Sequence, residues 1–226
     1  AIGLSLGEYS ALATAESFSL DQALYLLKKR SEFMQEATLE QETFLMAVSF
    51  LDKEKVLKAI DQEDDVYLAN ENAPNQNVVG GPKHKEEDIK EKMIAAGAKK
   101  VTSLMVSGAF HTPFMESASE AFRSELAKLE IEFPKLPVLS NFKGDYYEEM
   151  DDMGEILAKH ISYPVKLGEA LQKLKAKDED YHLIIGPGKA MASMLKQNKI
   201  PGHVLRVGTL EEFNEAMSIL KEKINE

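Results

Sequence analysis

The residues with the most distinctive chemistry lie at the start of the chain, where Gly3-Leu4-Ser5-Leu6-Gly7 forms a GxSxG sequence that runs into a helix-forming stretch. The flanking glycines allow a sharp turn between a strand and a helix, which leaves the Ser5 hydroxyl projecting from the turn. The next backbone N–H, that of Leu6, can then donate to an oxyanion at the reacting carbonyl. This arrangement is typical of acyl transfer.

A serine hydroxyl is a poor nucleophile unless a base within hydrogen-bond reach takes its proton, and histidine is the side chain that titrates near neutral pH. The chain has five histidines. His111 follows Gly108-Ala109-Phe110 and precedes a predicted helix, where it suits either a base or a structural residue at a helix start. The other four are predicted to be surface or hydrogen-bonded core residues: His84, His160, His182 and His203.

Composition limits the classes of function that the chain can have. Its 226 residues are 44% hydrophobic and 29% charged, which is typical of a globular protein with a sizeable core. A formal net charge of -11 repels a polyanion, so we expect no nucleic-acid partner. Cysteine is absent, which excludes thiolate catalysis and fits a cytoplasmic location. No apolar run approaches the length of a membrane span, so we expect no membrane partner.

Hydrophobic periodicity predicts an α/β fold that positions these residues. Apolar residues at helical spacing predict a helix from about Ser19 to Ala37, which carries Arg30. The sequence pattern over residues 42–105 predicts the element order βαββαβ, which is typical of a ferredoxin-like unit. The last of these strands is predicted over 99–106. Residues 1–41 and 106–226 form the predicted larger body, which includes strands at 138–140 and 181–185. Only Ala1 and Ile2 precede the turn, so we expect the N-terminal part of the fold to lie outside this sequence.

Several segments together resemble the malonyl-CoA:acyl carrier protein transacylase family, which is related to the acyltransferase domains of polyketide synthases. The resemblance covers nearly the whole chain, and the order of the motifs is more specific than any one of them. It implies an α/β-hydrolase-like body at 1–41 and 106–226 with an inserted ferredoxin-like subdomain at 42–105. The segments that carry it are Gly3 to Leu12, Arg30 with Met34, Asn70 to Gln76, Val106 to Pro113, Tyr163 to Val165, and Gly186 to Lys189.

The resemblance implies a catalytic dyad of Ser5 and His111 rather than a full triad. His111 would take the serine proton and later return it to the departing thiolate. The backbone carbonyl of His160, where relatives commonly carry Gln, would hold the imidazole, which makes His160 a supporting residue. Leu6 N–H would be one oxyanion donor, and nothing in this sequence matches the family's loop for the second.

The resemblance also implies how the substrate is selected. Arg30 would bind the free carboxylate of a malonyl group through two parallel hydrogen bonds, whereas an acetyl group would leave a buried cation without its partner. Phe110 would fill the space that a methyl branch on the acyl group needs. Asn70 and Asn72 belong to the family's Asn-rich segment, where they either meet the acyl or pantetheine part or simply form turns.

These features predict a transferase that moves malonyl from coenzyme A to the phosphopantetheine thiol of acyl carrier protein through a malonyl-serine, in fatty acid biosynthesis. The resemblance implies no metal or redox cofactor, and we expect a monomer. A basic patch of Lys189, Lys196 and Lys199 would bind the acidic carrier protein, or these lysines simply form a solvated face. Two alternatives stay open: an esterase or thioesterase of the α/β-hydrolase type, and a non-catalytic fragment of the transacylase.

Overall fold

The computed structural model describes residues 1–177 and 179–224. Contacts between Cα atoms divide the chain into two compact units, Ala1–Ala170 and Leu171–Glu226, each of which is described by itself. No helix in the described part of the chain is long and apolar enough to cross a membrane.

The first unit combines helices with one four-stranded sheet, so the chain is an α/β protein. Its elements, in chain order, are α1 (Leu6–Thr14), α2 (Leu20–Ala37), β1 (Thr43–Ser49), α3 (Lys53–Ala59), β2 (Tyr67–Ala73), β3 (Gln76–Pro82), α4 (Glu86–Ala95), β4 (Lys100–Ser103), α5 (Glu116–Leu126), α6 (Met153–Ser162) and α7 (Leu167–Lys175), which crosses into the second unit. Short 3-10 turns at Lys83–Lys85 and Pro113–Met115 precede α4 and α5.

Helix α2 begins where the sequence predicts. The Ser19 side chain accepts from the backbone N–H of Gln22, and the Gln22 side chain in turn accepts from the Ser19 N–H, so two N–H groups at the helix start are satisfied. The helix ends at Ala37, and its buried face carries Leu26, Arg30 and other residues. Arg30 therefore lies on the side of α2 that faces the core.

The sheet has the strand order β2-β3-β1-β4, and every neighbouring pair is antiparallel. Side chains alternate between its two faces along β1. Met46 and Val48 pack with residues of α3 and α4, such as Val56 and Ile89. Leu45 points to the other face, where it packs in the cluster that includes Ala109. The sheet thus supports the chain segment that leads into His111.

A second core joins α1, α2, α5 and α6. Leu12, Leu26, Phe122 and Leu157 are fully buried there, one from each helix. Burying a side chain of this size stabilises the fold by about 1.5 to 3 kcal/mol. Because α1 carries the turn at Ser5 and α6 carries His160, this core holds two parts of the candidate site together.

Two predicted strands differ from the structure. Residues 138–140 form only an isolated bridge, Leu139 with Tyr146, because the chain turns back after Ser140, where Gly144 has a φ of 69°. The last strand of the sheet ends at Ser103, three residues before the predicted end. The Leu104 N–H still donates to Leu45, but the Val106 N–H bonds back to Leu104 and so ends the pairing.

The second unit contains β5 (Tyr181–Ile185), α8 (Ala190–Gln197), β6 (His203–Val207) and α9 (Leu210–Ile224). The two strands pair in parallel, from Tyr181 with His203 to Ile185 with Val207. Gly186, directly after β5, has a φ of 133°, which a glycine adopts without strain. The Gly-Pro-Gly segment therefore lies in the turn between β5 and α8.

Candidate functional site

Ser5 lies at the start of α1 in a strained backbone conformation, with φ 51° and ψ -103°. Such a conformation costs a non-glycine residue on the order of 1 to 3 kcal/mol, so the surrounding contacts must hold it in place. The hydroxyl does not cap the helix. It is free to face the residues that come from elsewhere in the chain.

His111 faces this hydroxyl from a position 106 residues further along the chain. Its Nε2 lies 2.9 Å from Ser5 Oγ. The His111 backbone is also in the left-handed region, with φ 62°, and its N–H donates to the Ile161 carbonyl. The structure therefore brings the predicted nucleophile and the predicted base within hydrogen-bond distance.

The tautomer of His111 follows from its second contact. Its Nδ1 lies 2.7 Å from the backbone carbonyl oxygen of His160, which can only accept a hydrogen bond. Nδ1 must therefore carry the proton, and in the neutral ring Nε2 is left with a lone pair. That lone pair is directed at the Ser5 hydroxyl.

Arg30 approaches the same hydroxyl from α2. Its Nη2 donates to Ser5 Oγ over 2.8 Å. A guanidinium has no acceptor, so the proton of Ser5 must point elsewhere, and His111 Nε2 is the acceptor available to it. Arg30 thereby orients the serine proton towards the base.

The charge of Arg30 has no counter-ion among residues 1–177 and 179–224. The side chain is only 6% exposed, and no ion pair to a carboxylate is formed there. Its buried Nε finds no acceptor in that part of the chain, and the guanidinium lies 5.7 Å from the centre of the Tyr9 ring. A buried cation without an anion is costly, so this site favours an anionic ligand.

Burial and the nearby Arg30 cation lower the pKa of His111 to about 3. Both causes disfavour a second positive charge in the site. The imidazole is therefore neutral at physiological pH, which is the form that accepts a proton from serine. A ligand anion bound to Arg30 would offset the cation and raise the basicity of His111.

The remaining predicted residues lie at the start of α1, directly before His111 and on β2. Leu6 supplies the first N–H of α1, to which the helix itself offers no acceptor. Phe110 is half-buried and packs against both the helical core and the cluster of Leu45 and Ala109. Asn70 and Asn72 are nearly buried on β2, where Asn70 bridges Val165, five residues after His160. The roles assigned to these residues stay predictions.

Asn141 is a buried residue of the site that the sequence analysis missed. Its Oδ1 accepts the N–H of Ser5 over 2.8 Å, and its Nδ2 donates to the Gly3 carbonyl over 2.7 Å. The amide thus holds the main chain on both sides of the turn. The one signal in the sequence was its place directly after the apolar segment at 138–140, which alone does not distinguish it from a loop asparagine.

Glu8 was likewise missed, because its position in the first turn of α1 suggests a solvated carboxylate. It is instead fully buried. Tyr147 donates its hydroxyl proton to Oε1 over 2.6 Å, and the N–H of Asn141 donates to Oε2 over 3.1 Å. His160 Nδ1 lies 3.2 Å from Oε2. Burial raises the pKa of Glu8 to about 7, although these hydrogen bonds and Arg30 act in the opposite direction.

His160 contributes more than its backbone carbonyl. Its side chain is fully buried in the last turn of α6, and its ring stacks on that of His111, with centroids 5.0 Å apart and an interplanar angle of 21°. Burial lowers the pKa of His160 well below its usual value, and His111 and Arg30 act in the same direction. The ring is therefore neutral beside His111.

Comparison with known proteins shows the family of the chain. The model of the acyl transferase domain family matches residues 1–198, so the chain belongs to that family. It is 34% identical to the malonyl CoA-acyl carrier protein transacylase of Bacillus subtilis strain 168 over 225 residues, 98% of this chain and 71% of the relative. This identity and coverage show that, within the acyl transferase family, the chain belongs to the malonyl CoA-acyl carrier protein transacylases.

Solved structures show the same likeness. The crystal structure of malonyl CoA-acyl carrier protein transacylase from Clostridium perfringens superposes with a TM-score of 0.92 at 34% identity, over 98% of this chain and 71% of that one. A malonyl-transacylase solved in complex with a type II polyketide acyl-carrier protein superposes with a TM-score of 0.90 at 28% identity, over 96% and 71%.

The two glycines of the turn differ in what they tolerate. A Cβ on Gly3 would lie 2.1 Å from the backbone carbonyl of Gly7, whereas a Cβ on Gly7 would meet nothing within 4 Å. We expect Gly3→Ala to lower the free energy of unfolding by more than about 3 kcal/mol or to prevent folding. Gly7→Ala, the matched control, should raise it by up to about 1 kcal/mol because alanine favours helix. Urea denaturation of both variants measures this, and equal stabilities would contradict the described turn.

The raised pKa of Glu8 predicts how stability depends on pH. Stability that comes from the protonated carboxyl is fully present below about pH 4.5 and is lost as the pH rises to about 7. Glu8→Gln should therefore become more stable relative to the natural protein across this interval, by on the order of 3 kcal/mol.

Urea denaturation at pH 4.5, 6 and 8 measures that difference. Glu86→Gln is the matched control, because Glu86 is also nearly buried but Lys83 holds its pKa below the usual value. Glu86→Gln should not gain stability relative to the natural protein as the pH rises. A flat difference for Glu8→Gln would show that the buried carboxyl does not take up a proton in this range.

Proposed function

We propose that Ser5 and His111 form the dyad of a transferase that moves a malonyl group from coenzyme A to the phosphopantetheine thiol of acyl carrier protein, in fatty acid biosynthesis. Two observations support this proposal. The relatives carry that name, and Ser5 Oγ lies 2.9 Å from a neutral imidazole whose other nitrogen is held by a carbonyl. The family and the geometry of the site thus agree.

In the first half-reaction Ser5 Oγ attacks the thioester carbonyl while His111 Nε2 takes its proton. The Leu6 N–H donates to the oxygen on which negative charge develops. The carbon–sulfur bond then breaks, and the coenzyme A thiolate leaves with the proton from His111. In the second half-reaction the pantetheine thiol gives its proton to His111 and attacks the carbonyl of the serine ester. The ester carbon–oxygen bond then breaks, Ser5 Oγ takes the proton back from His111, and the malonyl group remains on the pantetheine sulfur.

The observation that carries the choice of substrate is the buried Arg30 guanidinium, which has no carboxylate partner in the described part of the chain. A malonyl group supplies the missing anion next to the Ser5 hydroxyl, whereas an acetyl group does not. Phe110, directly before His111, would limit the room for a branched acyl chain. Asn70 and Asn72 would meet the acyl or pantetheine part.

The finer description of the fold belongs to the same proposal. We assign a ferredoxin-like subdomain to residues 42–105, which the βαββαβ order and the strand order β2-β3-β1-β4 support. The α/β-hydrolase-like body would comprise 1–41 and 106–226. The reaction would need no cofactor beyond its thioester substrate. A monomeric state and a cytoplasmic location stay predictions from the sequence.

The carrier protein would bind through basic residues of the second unit. Lys189, Lys196 and Lys199 are exposed around α8. Carrier proteins are acidic, so these charges would attract them even though the chain is acidic as a whole. The solved complex of a related malonyl-transacylase with its acyl-carrier protein supports a partner of this kind.

The dyad predicts a covalent intermediate that mass spectrometry can detect. Brief mixing of the intact protein with malonyl-CoA should add one malonyl group, and peptide mapping should place it on Ser5. Ser5→Ala should abolish it, whereas Ser10→Ala, an exposed serine of the same helix, should retain it. Absence of the adduct in the natural protein would refute the proposal. Rapid hydrolysis of the adduct without carrier protein would favour a thioesterase instead.

The selection by Arg30 predicts a change of substrate preference. Arg30→Ala removes the cation, so the preference for malonyl over acetyl donors should fall by about 100-fold or more in kcat/KM. Lys28→Ala is the control, because that side chain is 72% exposed on the same helix and should leave the preference unchanged. The measurement is the rate of transfer with each thioester. An unchanged ratio in Arg30→Ala would refute this role of Arg30.

A further inference from the structure

The two halves of the dyad come from distant parts of the chain, yet one buried carboxyl contacts the supports of both. The side chain of Glu8 is fully buried and reaches the N–H of Asn141 over 3.1 Å. The same oxygen, Oε2, lies 3.2 Å from Nδ1 of His160. Neither contact involves Ser5 or His111 directly. Asn141, however, contacts Ser5, and His160 contacts His111.

On the nucleophile side, the link from Glu8 to Ser5 passes through Asn141. Its amide accepts the Ser5 N–H and donates to the Gly3 carbonyl, so it binds the strained turn on both sides of the serine. The main-chain N–H of Asn141 is the group that donates to Glu8. The position of the amide, and with it that of Ser5 Oγ, therefore depends on the carboxyl.

On the base side, the link passes through His160. Its backbone carbonyl accepts the proton of His111 Nδ1, and its ring stacks on the His111 ring. Because the His160 side chain abuts the carboxyl of Glu8, that carboxyl limits where the stack can lie. Tyr147 donates to the other oxygen of Glu8 and fixes its orientation.

We propose that Glu8 and Asn141 are positioning residues that hold Ser5 and His111 in register with each other. This inference rests on the proposed function, since it assumes that the two residues react. Catalysis of this kind is sensitive to displacements of about 1 Å, which can cost on the order of 100-fold in rate. Because the Glu8 carboxyl contacts both Asn141 and His160, it restrains the Ser5 and His111 segments from shifting apart.

Glu8 acts through its hydrogen bonds to Asn141 and Tyr147 and through its contact with His160, none of which requires a negative charge. A glutamine at position 8 can turn its oxygen to the N–H of Asn141 and its NH2 group to the Tyr147 hydroxyl, which can accept as well as donate. A leucine of similar size can do neither. The two substitutions therefore separate the hydrogen bonds from the volume of the side chain.

The test follows the transfer of labelled malonyl from coenzyme A to the intact protein by rapid quench, which yields both a rate constant and an amplitude. Glu8→Leu and Asn141→Ala should each lower the rate constant of acylation by about 100-fold, although nearly every folded molecule should still become acylated. Glu8→Gln should remain within about threefold of the natural rate. The KM for malonyl-CoA should change little, because neither residue touches the thioester.

If Glu8 and Asn141 only stabilised the fold, the substitutions would lower the fraction of all molecules that becomes acylated. The rate constant of the folded molecules would then be unaltered. Asn77→Ala is the matched control, since Asn77 is also fully buried and donates to a backbone carbonyl, that of Leu51, in the sheet. We expect its acylation rate to be unchanged. A double-mutant cycle of Glu8→Leu with Asn141→Ala should be less than additive, because Glu8 acts on Ser5 through Asn141 but on His111 through His160.

The inference is overturned if both Glu8→Leu and Asn141→Ala acylate at the natural rate per folded molecule, or if Asn77→Ala slows acylation as much as they do. Should Glu8→Leu fail to fold, Asn141→Ala against Asn77→Ala decides by the same criterion. Failure of the proposed function is distinct, because the natural protein itself would then form no acyl-enzyme.

Discussion

The hydroxyl of Ser5 lies between Arg30, which can only donate a hydrogen bond, and a histidine nitrogen that can only accept one. This pairing determines the direction of the serine proton, and it holds only while His111 keeps its proton on Nδ1. The carbonyl of His160 imposes that tautomer. The core formed by α1, α2, α5 and α6 and the four-stranded sheet support the segments that carry these groups.

The site is built from charged and polar groups that are expensive to bury. The Arg30 guanidinium has no carboxylate partner among residues 1–177 and 179–224, and the Glu8 carboxyl has its pKa raised to about 7; both features reduce the stability of the protein. The fold offsets these costs with the apolar packing of α1, α2, α5 and α6 around them. In the proposed function, the burial that makes the Arg30 cation costly also favours a ligand with a carboxylate.

Much of the fold could be predicted from local patterns. The spacing of apolar residues predicted α2, and the pattern over 42–105 predicted the element order from β1 to β4. The errors lie where a distant contact decides. Residues 138–140 have a strand-like sequence, but they pair at one bridge only because the chain turns back at Gly144.

The sequence by itself determined the candidate nucleophile, the candidate base, the cation and the family, because each depends on residue types in a recognisable order. Only the tertiary structure decided the tautomer of His111, the burial of Glu8 and the use of Asn141. Glu8 has the local pattern of an exposed helix start, and Asn141 that of a loop. Their hydrogen bonds join residues more than a hundred positions apart, and such pairings arise from packing, which no local pattern records.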